Sequence, residues 1–117
     1  VGKAIYRDGL LAQVQGGVVQ GMGWAIMEEL VMDEGLMRNP NFTDYIIPTI
    51  QDIPEIEVAL VEKPYKDGPY GAKGIGEPSL IPVAAAIANA VSHALGTHVD
   101  QLPLSPETVK LSLLNGK

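Results

Sequence analysis

The first long run of apolar positions repeats at helical spacing. Val14, Val18, Met22 and then Ala25 or Ile26 form one stripe, which predicts a helix over Leu11–Leu30. Gln13, Gly16, Gln20 and Gly23 step by three, four and three residues along another face, giving it amide and glycine but no bulk. Gly16, Gly17, Gly21 and Gly23 each cost a helix about 0.8–1.0 kcal/mol relative to alanine, a large loss for a small domain. Something must come close to the backbone there, and the pattern leaves open whether it is a ligand or a neighbouring element. Gly35, after Asp33-Glu34, fits the left-handed position that ends a helix. Glu28 and Glu29 then fall in the last turn, where they oppose the helix dipole and need partners or solvent.

Past a loop at Arg38-Asn39-Pro40-Asn41 the pattern becomes extended. Tyr45–Ile50 is broken by Pro48, which suits a sheet edge. Ile56, Val58 and Leu60 alternate with Glu57, Ala59 and Val61, predicting a half-buried strand from Glu55 to Glu62. Asp44 and Asp52 read as turn or strand-end residues. Lys63 to Gly76 is a glycine-rich loop, and Pro78 is placed for the first turn of a second helix. That helix runs through Leu80, Ala84, Ile87, Val91 and Leu95 to Gly96, and its apolar character on most sides predicts burial. Ser105-Pro106 forms an N-cap and first-turn proline for a third helix, expected to stop at Asn115-Gly116. The elements together predict an α+β fold: a single small domain with helices packed on a short mixed sheet.

Composition narrows the functions open to such a chain. Its 117 residues allow one modest core, and with aromatics at 5% that core must rest on aliphatic side chains and close glycine packing. The 13 glycines and 9 prolines imply many specified turns, or backbone pressed close to something else. A formal charge of −6 argues against a nucleic-acid partner, which would require lysine and arginine against phosphates. No apolar run is long enough to span a bilayer, so no membrane partner is expected. The absence of cysteine excludes a disulfide, a cysteine-ligated zinc or an iron–sulfur cluster held by this chain, and is compatible with a cytoplasmic location. The opening Val-Gly-Lys-Ala-Ile-Tyr is no signal peptide and does not begin with Met, which fits a piece of a larger protein.

Two places could carry chemistry. Tyr70-Gly-Ala-Lys-Gly-Ile-Gly-Glu77-Pro-Ser79 leaves backbone N–H groups open to a ligand, with Glu77 at the predicted start of the second helix. On spacing alone the ordinary reading of Glu77 is the stronger: a helix N-terminal acid worth a few tenths of a kcal/mol, by about the usual dipole magnitude. The loop is no P-loop, because Lys73 is followed by Gly74, and no dinucleotide fingerprint, because Gly76 is followed by Glu77-Pro78-Ser79. The second place is the helix face bearing Gln13, whose amide can both donate and accept. His93 and His98 are spaced poorly for shared ligation on one helix, and no metal ligands are assigned.

The ordered set of motifs resembles a known family. Gln13-Val-Gln-Gly-Gly-Val-Val-Gln20-Gly-Met-Gly23, Glu28-Glu29-Leu30, Asp44-Tyr45 with Ile47-Pro48-Thr49, and Gly71-Ala-Lys-Gly-Ile-Gly-Glu77-Pro78 are similar to the xanthine dehydrogenase / aldehyde oxidase family of molybdenum hydroxylases. The likeness is to the C-terminal end of the molybdopterin-binding large subunit and runs from about Leu11 to Pro106. It implies that residues 1–117 are a C-terminal segment of a larger molybdopterin-binding domain. Glu77 is then the catalytic base on the molybdenum-bound hydroxide, and Gln13 contacts the molybdopterin cofactor. Lys73, Gly74, Ile75 and Gly76 would lie near metal and substrate. Many members carry Gln-Val-Glu-Gly-Ala where this chain has Gln13-Val-Gln15-Gly-Gly17, which leaves a role for position 15 in doubt.

The implied reaction is hydroxylation of an N-heterocycle or aldehyde with water. The implied partners are the remainder of the large subunit, iron–sulfur and FAD subunits or domains, and a small-molecule substrate. The cofactor would be completed by segments outside this chain, so the chain alone is expected to be inactive. Two other readings stand beside this one: a non-catalytic binding or assembly domain that keeps the fold, and an unrelated phosphate-binding module using the loop before Pro78.

Overall fold

Three helices and one small hairpin make up the computed structural model, which describes residues 1–115. Helix α1 spans Arg7–Ile26, followed by strands β1 (Met32–Asp33) and β2 (Leu36–Met37), helix α2 (Val83–Leu95) and helix α3 (Pro106–Asn115). The predicted stop of the last helix at Asn115-Gly116 falls partly outside the described residues. Helices and strands are both present, as the sequence predicts, but the sheet is two-stranded and antiparallel rather than mixed.

Helix α1 begins and ends about four residues before the predicted bounds. The main-chain N–H groups of Met27 and Glu28 both donate to the Gly23 carbonyl, at 2.9 and 2.8 Å, and close the helix there. Asp33-Glu34-Gly35 is therefore not a helix end. Glu34 and Gly35 both take positive φ and form the two-residue turn of the β1–β2 hairpin, pairing Asp33 with Leu36 and Met32 with Met37. Such a turn needs left-handed backbone at both central positions, which Gly35 adopts freely. Asn39 braces the adjoining chain, accepting from the Val31 N–H and donating to the Glu29 carbonyl.

Of the five glycines in α1, Gly9 packs on the Tyr6 ring, and three of the four that the sequence singles out are explained by packing within the chain. A β-carbon on Gly17 would collide with the Ser79 hydroxyl, and one on Gly21 would lie 2.5 Å from Cβ of Val83. One on Gly23 would meet Glu28 and Pro48. Gly16 faces open space. The predicted Gln13–Gly16–Gln20–Gly23 face is thus not a single surface. The face in use is Gln13, Gly17 and Gly21, stepping by four, and the segment leading into α2 lies directly on it.

Helix α2 packs on α1 and ends at Gly96, whose left-handed conformation matches the expected stop. It is half-buried along one face only. Ala85, Ala86, Ala90 and Ala94 are exposed, so the predicted full burial is not met within this chain. Helix α3 is capped as predicted: the Ser105 hydroxyl accepts from the Thr108 N–H at 3.1 Å.

The segment Glu55–Glu62 keeps its alternation, with Ile56, Val58 and Leu60 half-buried and Glu57, Ala59 and Val61 exposed, yet it is not a paired strand. Only its end is tied to another extended segment: Val1 donates to the Val61 carbonyl at 3.0 Å and accepts from the Lys63 N–H at 2.9 Å. Buried side chains are small and few, with Ala25, Val99 and Leu104 at the centre, while Phe42, Ile50, Val61 and Ile81 are exposed. The radius of gyration of 17.8 Å exceeds the roughly 13 Å of a compact domain this long. Such an open form suits one part of a larger domain.

Opposite stability effects are expected along α1. Gly16→Ala should stabilise the full-length subunit by up to about 1 kcal/mol, because alanine improves helix propensity and meets nothing among the described residues. Gly21→Ala should destabilise it by roughly 1–2 kcal/mol, because overpacking against Val83 outweighs that gain. Chemical denaturation of the two variants beside the parent checks the sign of each.

Candidate functional site

The α1 face and the glycine loop meet at one hydrogen bond. Gln13 Nε2 donates to the main-chain carbonyl of Gly76 at 2.7 Å, across 63 positions of sequence. The contact is possible because Gly17 and Gly21, one and two turns further along, carry no side chains to hold the loop away. Ser79 returns the contact weakly, its hydroxyl lying 3.4 Å from the Gln13 carbonyl.

Glu77 is not where the sequence places it. Helix α2 starts at Val83, six positions later, and Pro78 belongs to a turn in which the Leu80 N–H donates to the Glu77 carbonyl at 2.9 Å. Proline fits this second position of a turn as well as it fits the first turn of a helix, since both need the same φ. The reading of Glu77 as a helix N-terminal acid thereby loses its basis. The carboxylate is exposed and makes no hydrogen bond or ion pair among the described residues.

The loop is held on its other side by the chain's first residues. The Lys3 N–H donates to the Gly71 carbonyl at 2.8 Å, and Gly2 is buried so tightly that a β-carbon would lie 2.5–2.8 Å from main-chain atoms of Gly71–Lys73. Between this clamp and α1 opens a pocket of about 350 Å³, lined by Lys3 of the clamp, Tyr6, Leu10 and Gln13 at the start of α1, and Lys73, Ile75 and Gly76 of the loop. Four of the residues singled out in the sequence, Gln13, Lys73, Ile75 and Gly76, therefore share one pocket. Gly74 instead lines a neighbouring pocket of about 490 Å³ with Tyr65, Pro69 and Lys73. Lys3, Tyr6 and Leu10 were not anticipated. No sequence signal points to them, because the burial of Gly2 that brings them to the loop shows only in the fold.

Gly74 and Gly76 do not serve tight curvature, as neither has positive φ. Their α-carbons face open space, so nothing in this chain requires the missing side chains. Conformational need sits instead at Tyr70 and Gly71, both left-handed, which turn the chain into the loop. No group of three or more His, Cys, Asp or Glu residues is placed to hold a metal ion among the described residues.

Comparison with known proteins shows what this arrangement belongs to. Residues 1–54 match the model of a molybdopterin cofactor-binding domain. Over 97 residues, 81% of the chain, it is 50% identical to a putative xanthine dehydrogenase molybdenum-binding subunit from Escherichia coli (strain K12). Over 98 residues, 83% of the chain, it is 37% identical to an aldehyde oxidoreductase from Megalodesulfovibrio gigas. The chain belongs to the xanthine dehydrogenase / aldehyde oxidase family. It spans 13% and 10% of the lengths of these two relatives, so it corresponds to a small part of a molybdenum hydroxylase large subunit. The fold agrees with that of quinoline 2-oxidoreductase from Pseudomonas putida 86, at a TM-score of 0.91 and 31% identity, covering 99% of this chain and 15% of that one. In this molybdenum hydroxylase segment the motifs on α1 and in the loop thus meet at a single pocket.

Away from that wall, the Tyr45 hydroxyl donates to Glu28 Oε2 at 2.6 Å and ties the extended segment to the end of α1. This hydrogen bond, then partial burial and the carboxylate's charge, hold the phenol above its ordinary ionisation range. A raised folded-state value means that the stabilisation is fully present below about pH 10, the unfolded value, and is lost as pH rises through the folded one. Tyr45→Phe should therefore flatten part of the loss of stability above about pH 10, measured by denaturation of the full-length subunit across the alkaline range.

Proposed function

We propose that this chain forms one wall of the active site of a molybdenum-cofactor oxidoreductase that hydroxylates an N-heterocycle or aldehyde with water, with Glu77 as the base. The observation that carries the reading is the hydrogen bond from Gln13 to Gly76, which joins the two family motifs directly beside Glu77. The residues present fit molybdopterin. The pocket offers the cations Lys3 and Lys73 for an anionic group and the Gln13 amide for a heteroatom-rich ring. The open faces of Gly74 and Gly76 let a flat group approach the loop backbone.

Gln13, Lys73, Ile75, Gly76 and the neighbouring Gly74 would hold the cofactor, completed by the remainder of the large subunit. When bound, the cofactor supplies redox chemistry at the metal and an activated water-derived nucleophile. Glu77 accepts a proton at its carboxylate oxygen, and its freedom from any partner among the described residues leaves both oxygens available for that transfer. Lys3 and Lys73 orient negative charge, and Ile75 excludes water from the wall. Iron–sulfur and FAD subunits or domains would carry electrons onward, in a cytoplasmic assembly.

In the complete complex, Glu77→Gln should lower turnover by roughly 10²–10⁴-fold, the usual worth of a general base, while molybdenum and pterin contents stay at parental levels. Retained turnover would remove Glu77 from the mechanism. The chain purified alone should carry no stoichiometric molybdenum by elemental analysis, because most of the enclosing segments lie elsewhere in the large subunit.

A further inference from the structure

We infer that Gln13 is a positioning residue for Glu77, acting through the carbonyl of Gly76; the inference rests on the reading of Glu77 as the base. From Lys73 to Gly76 the main chain makes no hydrogen bond to any described residue except the one it accepts from Gln13 Nε2. This stretch includes Gly74 and Gly76, which have open space around their α-carbons and the widest torsional freedom of any residue type. Left untied, it would move the peptide that immediately precedes Glu77.

The Gly76 carbonyl belongs to that peptide, so the 2.7 Å hydrogen bond from Gln13 fixes its plane. The peptide after Glu77 is fixed independently, because the Glu77 carbonyl accepts from the Leu80 N–H at 2.9 Å and Pro78 locks the torsion between. Glu77 is thus bracketed on both sides, and only one bracket comes from outside its own turn. The support is rigid, because Ser79 packs on Gly17 and Val83 on Gly21 and so anchors the far end of the segment to the same helix face. Gln13 can do this and still meet a ligand: Nε2 has a second N–H, and Oε1 makes no hydrogen bond among the described residues. A base displaced by about 1 Å can lose roughly a hundredfold in rate, which is why one tether matters.

The test uses the full-length enzyme complex with Gln13→Leu, which removes the donor, and Gln13→Glu, which keeps the size but presents an ionised oxygen to the carbonyl. Because Gln13 also faces the cofactor pocket, turnover is expressed per bound molybdenum, with pterin content measured beside it. Crystal structures of the variant complexes should show residues 73–77 displaced or with raised B-factors relative to the parent, with α1 and α2 unchanged. Turnover should fall roughly 10–100-fold with KM changed less than about twofold, as expected when an interaction that matters in the transition state is disturbed. In a Glu77→Gln background, Gln13→Leu should cause little further loss, because it acts through the missing carboxylate.

Residues 73–77 found in their parental position with parental B-factors would overturn the tether. Loss of molybdenum or pterin with the loop in its parental position would overturn it too, making Gln13 a cofactor contact only. A full additional loss in the Glu77→Gln background would show that Gln13 acts elsewhere. If Glu77→Gln alone keeps full turnover, the base reading fails and the positioning role fails with it. The variant crystal structures then still decide whether Gln13 holds the loop.

Discussion

Close approach between α1 and the chain that runs from Gly76 to Val83 is the contact on which the remaining geometry depends. It exists because the helix presents hydrogen atoms at positions 17 and 21, against Ser79 and Val83. The helix gives up intrinsic stability for that approach, by the roughly 0.8–1.0 kcal/mol per glycine that separates it from alanine. The separation it permits brings the Gln13 amide within hydrogen-bond reach of the loop carbonyl. A methyl group at either glycine would lever the loop outward and remove the polar contact along with the packing. Apolar fit and polar alignment are therefore one constraint here.

Much of this was legible in the sequence, and the failures have identifiable causes. Glycines where a helix should have alanines announced a close neighbour, but periodicity could not say that the neighbour was Ser79 and Val83 rather than a ligand. The spacing suggests a stripe through Gly16 and Gly23, whereas the packed one runs through Gly17 and Gly21; a helix with glycines on several faces offers more than one plausible surface. Asp33-Glu34-Gly35 suggests a helix end in the sequence because a left-handed glycine ends helices and turns hairpins alike. Pro78 suggests a helix start because the φ it fixes serves a first helical turn and a β-turn equally. The strand pattern of residues 55–62 was right about which side chains turn inward, and silent about what they pair with.

The site was legible in a different way. No single motif separated Glu77 from an ordinary surface acid, and local reasoning favoured the ordinary role. The ordered set of motifs carried the family, and the relatives bear that out at 50% and 37% identity over most of the chain. What sequence order could not supply was the contribution of the first residues. Lys3 and Tyr6 join the pocket because Gly2 is pressed against Gly71–Lys73, a contact made in space and invisible to spacing.

The two pins on the glycine loop also set where this chain can change length. Val1 is tied to Val61 and Lys63, and Lys3 to Gly71, so most of what lies between α1 and the loop is a closed excursion whose ends are already fixed. Closing such an excursion depends on its length only logarithmically, with each doubling adding about 0.6 kcal/mol. The hairpin and the exposed stretch around Phe42 can therefore lengthen or shorten with little effect on the pocket wall. One residue gained or lost between Gly76 and Val83 would instead slide Ser79 off Gly17 and Val83 off Gly21. Tolerance of insertion is steeply divided along a short stretch of chain, and Glu77 stands on the intolerant side.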